Sequence, residues 1–280
     1  MMYRKAYEWG KARLEMAGVC DAHVDARELL EFVCNTTRND LYAHSEMEVT
    51  DEQLTQYENF IKRRAEHVPL QHLTGFQEFM GIRFKVTPAV LVPRLDTEIL
   101  AEEALIAVSD GDRILDMCTG SGCILLSVMK YKNNIEGVGS DISSEALLVA
   151  KENYEKLQSE INGRAVFVQG DLFENVDGKF EVILSNPPYI ESAVINELSP
   201  EVKEHDPMLA LDGGEDGLDF YRKIVTESTK YLKSEGKLIF EIGFNQAEAV
   251  RNILYDNGFS DIRIIKDLNG LDRVVYARLA

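Results

Sequence analysis

No run of about 18 apolar residues, the length a helix needs to cross a bilayer, occurs in the 280-residue sequence. Met1-Met2-Tyr3-Arg4-Lys5 leads into charged residues and not into an apolar secretory core. A cytoplasmic protein with no membrane partner is expected. The four cysteines, Cys20, Cys34, Cys118 and Cys123, form no Cys-x-x-Cys pair and have no accompanying histidine cluster. Neither a disulfide framework nor a zinc site is indicated, so reduced thiols and no metal are expected. Positive charge is also scarce: 30 Lys and Arg against 48 Asp and Glu leave a net charge of −18. Gripping a phosphate backbone takes clustered cations, so no direct nucleic-acid partner is expected. Lys62-Arg63-Arg64 is the nearest basic cluster and reads as a solvated helix face. The chain has neither an internal repeat nor a low-complexity segment.

What is present changes character along the chain. Residues 1–75 read as a small helical domain: Ala26, Leu29, Leu30 and Val33 fall at i, i+3, i+4 and i+7, one buried helical face. Thr50 and Gln53 fit a capping box, opening a helix whose Leu54, Tyr57 and Ile61 share a face. Between Gln71 and Arg94 aromatic and β-branched residues dominate, with Gly75, Gly81 and Thr87-Pro88 as turn signals. The spacing predicts a hairpin connector over residues 76–93, with Glu78–Val86 and Ala89–Val92 read as a hairpin or a pair of short strands. Asp96 and Thr97 are candidate caps for the next helix, whose Ala101, Ala104, Leu105 and Val108 make a buried stripe. From there to residue 280 strands and helices alternate, as a doubly wound parallel sheet requires. The predicted strands are Arg113–Cys118, Gly137–Ile142, Ala165–Gln169, Glu181–Ser185, Lys237–Ile242, Ile262–Lys266 and Arg273–Ala277. Asp267–Asp272 is too short for a helical crossover, so the last pair should be antiparallel.

Val182-Ile183-Leu184-Ser185-Asn186-Pro187-Pro188-Tyr189 organises this second part. The apolar run reads as a buried strand, and the two prolines stop the ladder at Asn186. Proline fixes its own φ and restricts the residue before it, so Asn186 and Pro187 are held stiffly. The Asn186 side-chain oxygen and the Pro187 carbonyl are acceptors, able together to take both hydrogens of an –NH2 group. Tyr189 adds an aromatic face. A strand-ending proline turn is the plainer alternative.

A second constellation follows the first predicted strand of the sheet. Asp116-Met117-Cys118-Thr119-Gly120-Ser121-Gly122 enters a helix at Cys123, a glycine turn that lets a ligand approach backbone N–H groups. Asp141 ends the next strand, 19 residues after Gly122, where a carboxylate takes ribose hydroxyls. A nucleoside-containing cofactor is indicated. Leu125 occupies the position where a dinucleotide fingerprint has Gly or Ala, which makes NAD the weaker choice. Gly170-Asp171-Leu172-Phe173 forms a third loop, where Asp171 is either a cofactor contact or a helix cap.

The pieces combine into a resemblance. Seven strands with an antiparallel last pair are similar to the S-adenosylmethionine-dependent methyltransferases, and Asn186-Pro187-Pro188-Tyr189 resembles the signature of those that alkylate a planar nitrogen. Leu73-Thr74-Gly75, Glu78-Phe79, Pro93-Arg94-Leu95-Asp96-Thr97-Glu98, Gly213-Gly214-Glu215-Asp216-Gly217-Leu218 and Asp272-Arg273-Val274-Val275 extend the likeness over almost the whole chain. The sequence resembles the glutamine N5-methyltransferases of peptide chain release factors (the PrmC/HemK type). That resemblance implies an enzyme of translation termination with S-adenosylmethionine as cofactor and S-adenosylhomocysteine as product. Class 1 release factors would be the partners, recognised by the helical domain, and the glutamine of their Gly-Gly-Gln loop the acceptor. It places Asp116, Cys118, Thr119, Gly120, Ser121, Gly122, Asp141, Asp171, Leu172 and Asn186 at the cofactor, with Asp116 near its amino group. Asn186, Pro187, Pro188 and Tyr189 would hold the substrate, with Asn186, Pro187 and Tyr189 acting in catalysis.

Three positions depart from the family's usual pattern: Leu95, where a second proline is common, Cys118, where glycine is usual, and Leu271. Gly213 and Gly214 read as positive-φ residues entering a helix at Asp216, and His205-Asp206 as polar loop. Two other functions fit parts of the sequence. A nucleic-acid adenine N6-methyltransferase would share the Asn-Pro-Pro-Tyr signature but would need a basic groove. A non-catalytic cofactor-binding adaptor would use the helical module but would have no need of the signature.

Overall fold

In the computed structural model, which describes all 280 residues, the apolar stripes of the first 75 residues become five helices. These are α1 (Tyr3–Met16), α2 (Ala22–Cys34), α3 (Arg38–Ala43), α4 (Asp51–Ala65) and α5 (Leu70–Thr74). The Thr50 hydroxyl accepts the Gln53 N–H at 3.2 Å and the Gln53 side chain accepts the Thr50 N–H at 3.0 Å, so the capping box opens α4. Leu14, Ala26, Leu29, Leu30, Tyr57 and Ile61 are fully buried together. Tyr57 is accommodated by Gly10, where a Cβ would stand 2.0 Å from the phenol oxygen, and its hydroxyl donates to the Ala26 carbonyl at 3.0 Å.

One expectation about this unit fails. Arg64 is not on a solvated face: it is 6% exposed and its Nε donates to Asp25 at 2.6 Å. Its Nη2 meets Glu201 at 2.7 Å. Glu201 belongs to a later short helix, and by its contacts the segment Ser199–His205 joins Met1–Phe76 in one unit. Lys62 and Arg63 remain exposed. Tertiary pairing took one member of the basic run inward, which a composition argument does not see.

The other unit comprises Gln77–Leu198 and Asp206–Ala280. The hairpin strands are β1 (Phe76–Phe79) and β2 (Ile82–Lys85). The chain reverses at Met80-Gly81, both at positive φ, inside the stretch predicted as a single strand. Ala89–Val92 is accordingly not a strand but a turn and an extended passage that buries Val90 and Val92. Leu95–Thr97 forms a single 3₁₀ turn leading into α6 (Glu98–Ala107), and the Thr97 side chain does not cap it.

The remaining elements are β3 (Arg113–Met117), α7 (Cys123–Tyr131), β4 (Ile135–Asp141), α8 (Ser144–Leu157), β5 (Gly163–Gln169), β6 (Phe180–Ser185), α9 (Pro200–His205, which packs with the helical unit), α10 (Asp219–Tyr231), β7 (Leu232–Glu241), α11 (Ala247–Asp256), β8 (Phe259–Lys266) and β9 (Asp272–Leu279). The sheet order is β5-β4-β3-β6-β7-β9-β8, parallel except for β9, which is antiparallel to both neighbours. Successive residues of the central strands enter opposite cores. Ile114, Val182 and Leu184 pack with α6 and α7, whereas Leu115 and Ile183 pack with Tyr221 and Ile224 of α10. Both faces are covered, which is why these strands are unbroken apolar runs. Strand order reverses between β4-β3 and β6, and the carboxyl ends there form the crevice in which such sheets bind ligands.

Candidate active site

β3 hands over to α7 through Cys118–Gly122, and Cys118, Gly120 and Gly122 have φ of 59, 54 and 78°. Glycine takes this left-handed backbone freely, whereas a side chain costs about 1–2 kcal/mol. Cys118 therefore sits in a conformation that favours glycine, which gives a physical reason for the residue usual there. A Cβ on Gly122 would meet Ala150 Cβ and Leu126 Cδ1 at 3.3 Å. Leu125 does not hold α7 off the sheet, because Gly137 of β4 leaves room beneath it: a Cβ there would lie 3.0 Å from Leu125 Cδ1.

The loop is tied down by two acids. Asp141 Oδ2 accepts the Gly120 N–H and Oδ1 the Ser143 N–H, both at 2.9 Å. Thr119 donates its hydroxyl to Asp116 Oδ2 at 2.6 Å. Asp116 is fully buried, and burial pushes its carboxyl up to about 7 against the pull of Thr119. Its Oδ1 has no partner of ordinary hydrogen-bond geometry, although the Leu125 N–H favours its ionised form. Burial raises both neighbouring thiols, Cys123 to about 12 and Cys118 further, so both are protonated at neutral pH.

A cleft opens at these strand ends. Of the residues anticipated from sequence, Cys118, Thr119, Gly120, Ser121, Asp141, Asp171, Leu172, Asn186 and Pro188 line it. Asp116, Gly122, Pro187 and Tyr189 do not. Asp116 stands behind Thr119, whose hydroxyl occupies one of its two oxygens. Asp171 caps no helix; its N–H is taken by the Glu174 side chain at 3.2 Å. The cleft also gains residues that sequence reading passed over as ligands: Thr97, Ile142, Leu209 and Phe220. Ile142 follows Asp141 directly and is half exposed, a signal that was readable. Phe220 had none.

The Asn-Pro-Pro-Tyr segment leaves β6 with both prolines buried. Asn186 Nδ2 donates to Thr97 Oγ1 at 3.4 Å, and its Oδ1 takes no donor from the chain. The Pro187 carbonyl likewise accepts no hydrogen bond from the chain. Tyr189 donates its hydroxyl to Glu241 Oε1 at 3.2 Å, and its carbonyl accepts Gln246 Nε2 at 2.9 Å. Burial and the Glu241 charge raise the Tyr189 phenol. Glu241, at the end of β7, is 2% exposed and its carboxyl is raised by burial, against the Thr97 hydroxyl and the Arg273 charge.

The Gly213–Leu218 segment wraps this corner. Ile190 pairs with its entrance, donating to the Leu211 carbonyl at 3.0 Å and accepting the Gly213 N–H at 2.8 Å. Only Gly214 of the pair has positive φ (91°). Gly213 is needed instead for close approach, since a Cβ there would stand 2.9 Å from the Pro188 carbonyl oxygen. The helix that follows starts at Asp219, later than read from sequence, and Asp206 pairs with Arg94 at 2.5 Å.

A nucleoside with a charged amino-acid tail fits this donor set. The cleft offers a carboxylate at a strand end, apolar Ile142 and Leu172 near it, and a buried Asp116 oxygen without a close partner behind the glycine turn.

Comparison with known proteins agrees. Residues 5–75 match the PrmC N-terminal domain and residues 90–201 the Methyltransferase small domain. A release factor glutamine methyltransferase of Geobacter sulfurreducens is 40% identical over 99% of this chain and 96% of its own. The chain belongs to the release factor glutamine methyltransferase family. A relative of that name from Clostridium acetobutylicum is 42% identical over 90% of each chain. A solved methyltransferase structure from Pyrococcus furiosus shares the fold, with a TM-score of 0.54 at 21% identity over 71% of this chain and 89% of the other. Among the departures from the family pattern, Leu95 and Leu271 are surface residues, 72% and 44% exposed, and only Cys118 touches the cleft.

Proposed function

We propose that this protein transfers the methyl group of S-adenosylmethionine to the side-chain nitrogen of the glutamine in the Gly-Gly-Gln loop of class 1 peptide chain release factors. When bound, that cofactor supplies an electrophilic methyl group on a sulfonium. Asp141 would hold the ribose hydroxyls on the lone pairs that Gly120 and Ser143 leave open, Ile142 and Leu172 would border the adenine, and Thr119, backed by Asp116, would face the amino-acid end. Asn186 and Pro187 hold the substrate. An amide nitrogen is a poor nucleophile because its lone pair is delocalised into the carbonyl. Two fixed acceptors, Asn186 Oδ1 and the Pro187 carbonyl, take its two N–H groups and turn the lone pair toward the methyl. Tyr189, which lies outside the cleft lining with its hydroxyl anchored on Glu241, would pack on the amide plane once the substrate is seated. No strong general base is required, since the nitrogen's proton becomes acidic only after methyl transfer.

The observation that carries this reading is the pair of adjacent acceptors, Asn186 Oδ1 and Pro187 O, that take no donor from the chain. The −18 net charge weighs against an adenine in nucleic acid as the acceptor. The test is incubation with S-adenosylmethionine and an unmethylated release factor, followed by mass spectrometry of the Gly-Gly-Gln peptide. One added methyl on the glutamine is the expected result. Labelling of nucleic acid instead, or of nothing, overturns the assignment.

A further inference from the structure

We propose that Thr97, backed by the buried Glu241, is a positioning residue that sets which way round the Asn186 amide lies. The inference rests on the reading of Asn186 as an acceptor for the substrate amide.

An Asn side chain has a donor end and an acceptor end of nearly the same shape, so packing alone does not choose between them. If the NH2 end faced the cleft, it would present donors to a substrate –NH2 and the catalytic contact would be lost. The choice is made by a chain of hydrogen bonds with a fixed direction. Glu241 is 2% exposed and, when ionised, is acceptor-only. One of its oxygens takes the Tyr189 hydroxyl at 3.2 Å, while Oε2 has no partner of ordinary geometry. Thr97 is 3% exposed and its hydroxyl favours the ionised form of Glu241, the behaviour of a donor directed at that carboxylate. A hydroxyl has one proton. With that proton turned to Glu241, Thr97 Oγ1 has only lone pairs to offer Asn186, and it is Nδ2 that lies 3.4 Å away. Oδ1 is thereby left to face the cleft. Arg273 adds positive charge near Glu241 and is itself held by Asp96 at 3.2 Å and Asp267 at 3.1 Å. The same side chain that a cap motif would claim for α6 works instead as a relay into the site.

The experiment measures kcat, KM for the whole release factor and cofactor affinity for Thr97→Val, Thr97→Ser, Asn186→Ala and the Asn186→Ala/Thr97→Val double variant. Thr97→Val keeps the shape and deletes the hydroxyl. It is expected to lower kcat by about tenfold or more, with KM and cofactor affinity little changed. Thr97→Ser, which keeps the hydroxyl, should restore the rate to within about threefold. The double variant should be no slower than Asn186→Ala alone, because Thr97 acts only through Asn186. A Thr97→Val enzyme with unchanged kcat, beside a crippled Asn186→Ala, overturns this inference and leaves the reading of Asn186 intact. So does a double variant slower than Asn186→Ala by the full Thr97→Val factor, which would make Thr97 independent of Asn186. An Asn186→Ala enzyme at full rate overturns the underlying reading itself. Should Thr97→Val not fold, Thr97→Ala, which also deletes the hydroxyl, offers the same test: an unchanged kcat there, beside a crippled Asn186→Ala, sinks the proposal.

Discussion

A Cβ placed on Gly213 would lie 2.7 Å from the Cα of Tyr189, closer than such atoms come in proteins. The backbone of the Gly213–Leu218 segment is laid directly on the backbone of the Asn-Pro-Pro-Tyr corner. Gly217 makes a second such approach, to the Tyr189 carbonyl oxygen at 2.4 Å. Gly213→Ala should therefore shift Asn186–Tyr189 as a unit. The expected cost is about 1–3 kcal/mol of stability, the range for overpacking, with a loss of turnover larger than the loss of melting temperature suggests. Thermal melts and rate assays on one preparation check this. A variant with normal rate and normal melting would show that the corner yields freely.

Asn186→Ala removes one of the two acceptors proposed to orient the substrate nitrogen. Deleting one preorganised hydrogen-bonding group at a reacting centre costs on the order of 10²–10³ in kcat. Affinity for S-adenosylmethionine, measured by calorimetry, should stay within a few-fold, because Asp141 and the glycine turn are untouched. A variant that loses cofactor affinity and rate in equal measure would assign Asn186 to the cofactor alone.

The sheet was legible because the strands are apolar runs bounded by glycine, proline and acidic residues, and because six residues between the last two predicted strands force an antiparallel return. Asn186-Pro187-Pro188-Tyr189 was legible because proline chemistry is local. Glu241 was not: it lies inside the predicted strand Lys237–Ile242 with no local signal of a role, yet it is buried and takes the Tyr189 hydroxyl. Thr97 was misread for a related reason. A Thr followed by a helix looks like a cap until the chain folds and Asn186, 89 residues on, arrives beside it. Arg64 belongs to the same class, a charge whose partners Asp25 and Glu201 are remote in sequence. Local chemistry and periodicity reach across a few turns; long-range ion pairs and relays do not announce themselves.

Asp116 should leave a mark on stability against pH. Its folded-state value of about 7 lies above the ordinary 3.8, because burial penalises the charge. The folded protein then keeps a proton that the unfolded chain has released. This contribution is fully present below about pH 4 and is lost as pH rises toward 7, at about 1.4 kcal/mol per pH unit, levelling off above. Asp116→Asn keeps an acceptor for Thr119 and removes the titration. The difference in stability between variant and parent, both without cofactor, should therefore grow in the variant's favour from pH 4.5 to 7. A constant difference across that range would mean that Asp116 is not held protonated by burial.

Thiol chemistry gives an independent view of the cleft. Cys20 is exposed, whereas Cys118 and Cys123 are held as neutral thiols by burial. The thiolate is the reactive form, so iodoacetamide at pH 7.5 should label Cys20 well before either of the others. Cys118 lines the cleft, and S-adenosylmethionine should slow its labelling further without changing that of Cys20. Peptide mapping reads both. Rapid labelling of Cys118 would contradict its environment.

Arg64 closes the helical unit around a buried ion cluster, and its removal should damage that unit selectively. Its side chain is 7% exposed and Asp25's is 8%, while Glu201's is 28%. Desolvation already raises the Asp25 carboxyl against the Arg64 charge. Arg64→Ala would leave that carboxyl buried without its cation, a change that costs about 3–5 kcal/mol. It would also release Glu201, and with it the tether of Ser199–His205 to Met1–Phe76. Glu201→Gln keeps a hydrogen-bonding group at a partly solvated position and should cost about 1 kcal/mol or less. The double change Asp25→Asn with Arg64→Met removes both buried charges at similar volume, so it should be markedly more stable than Arg64→Ala. Limited proteolysis localises the effect: Arg64→Ala should be cut first within Met1–Phe76 and at 199–205, while the sheet-containing unit survives and still binds S-adenosylmethionine. Equal protection of Arg64→Ala and the parent would mean that the apolar core of Leu29, Leu30, Tyr57 and Ile61 holds the helices without the ion cluster.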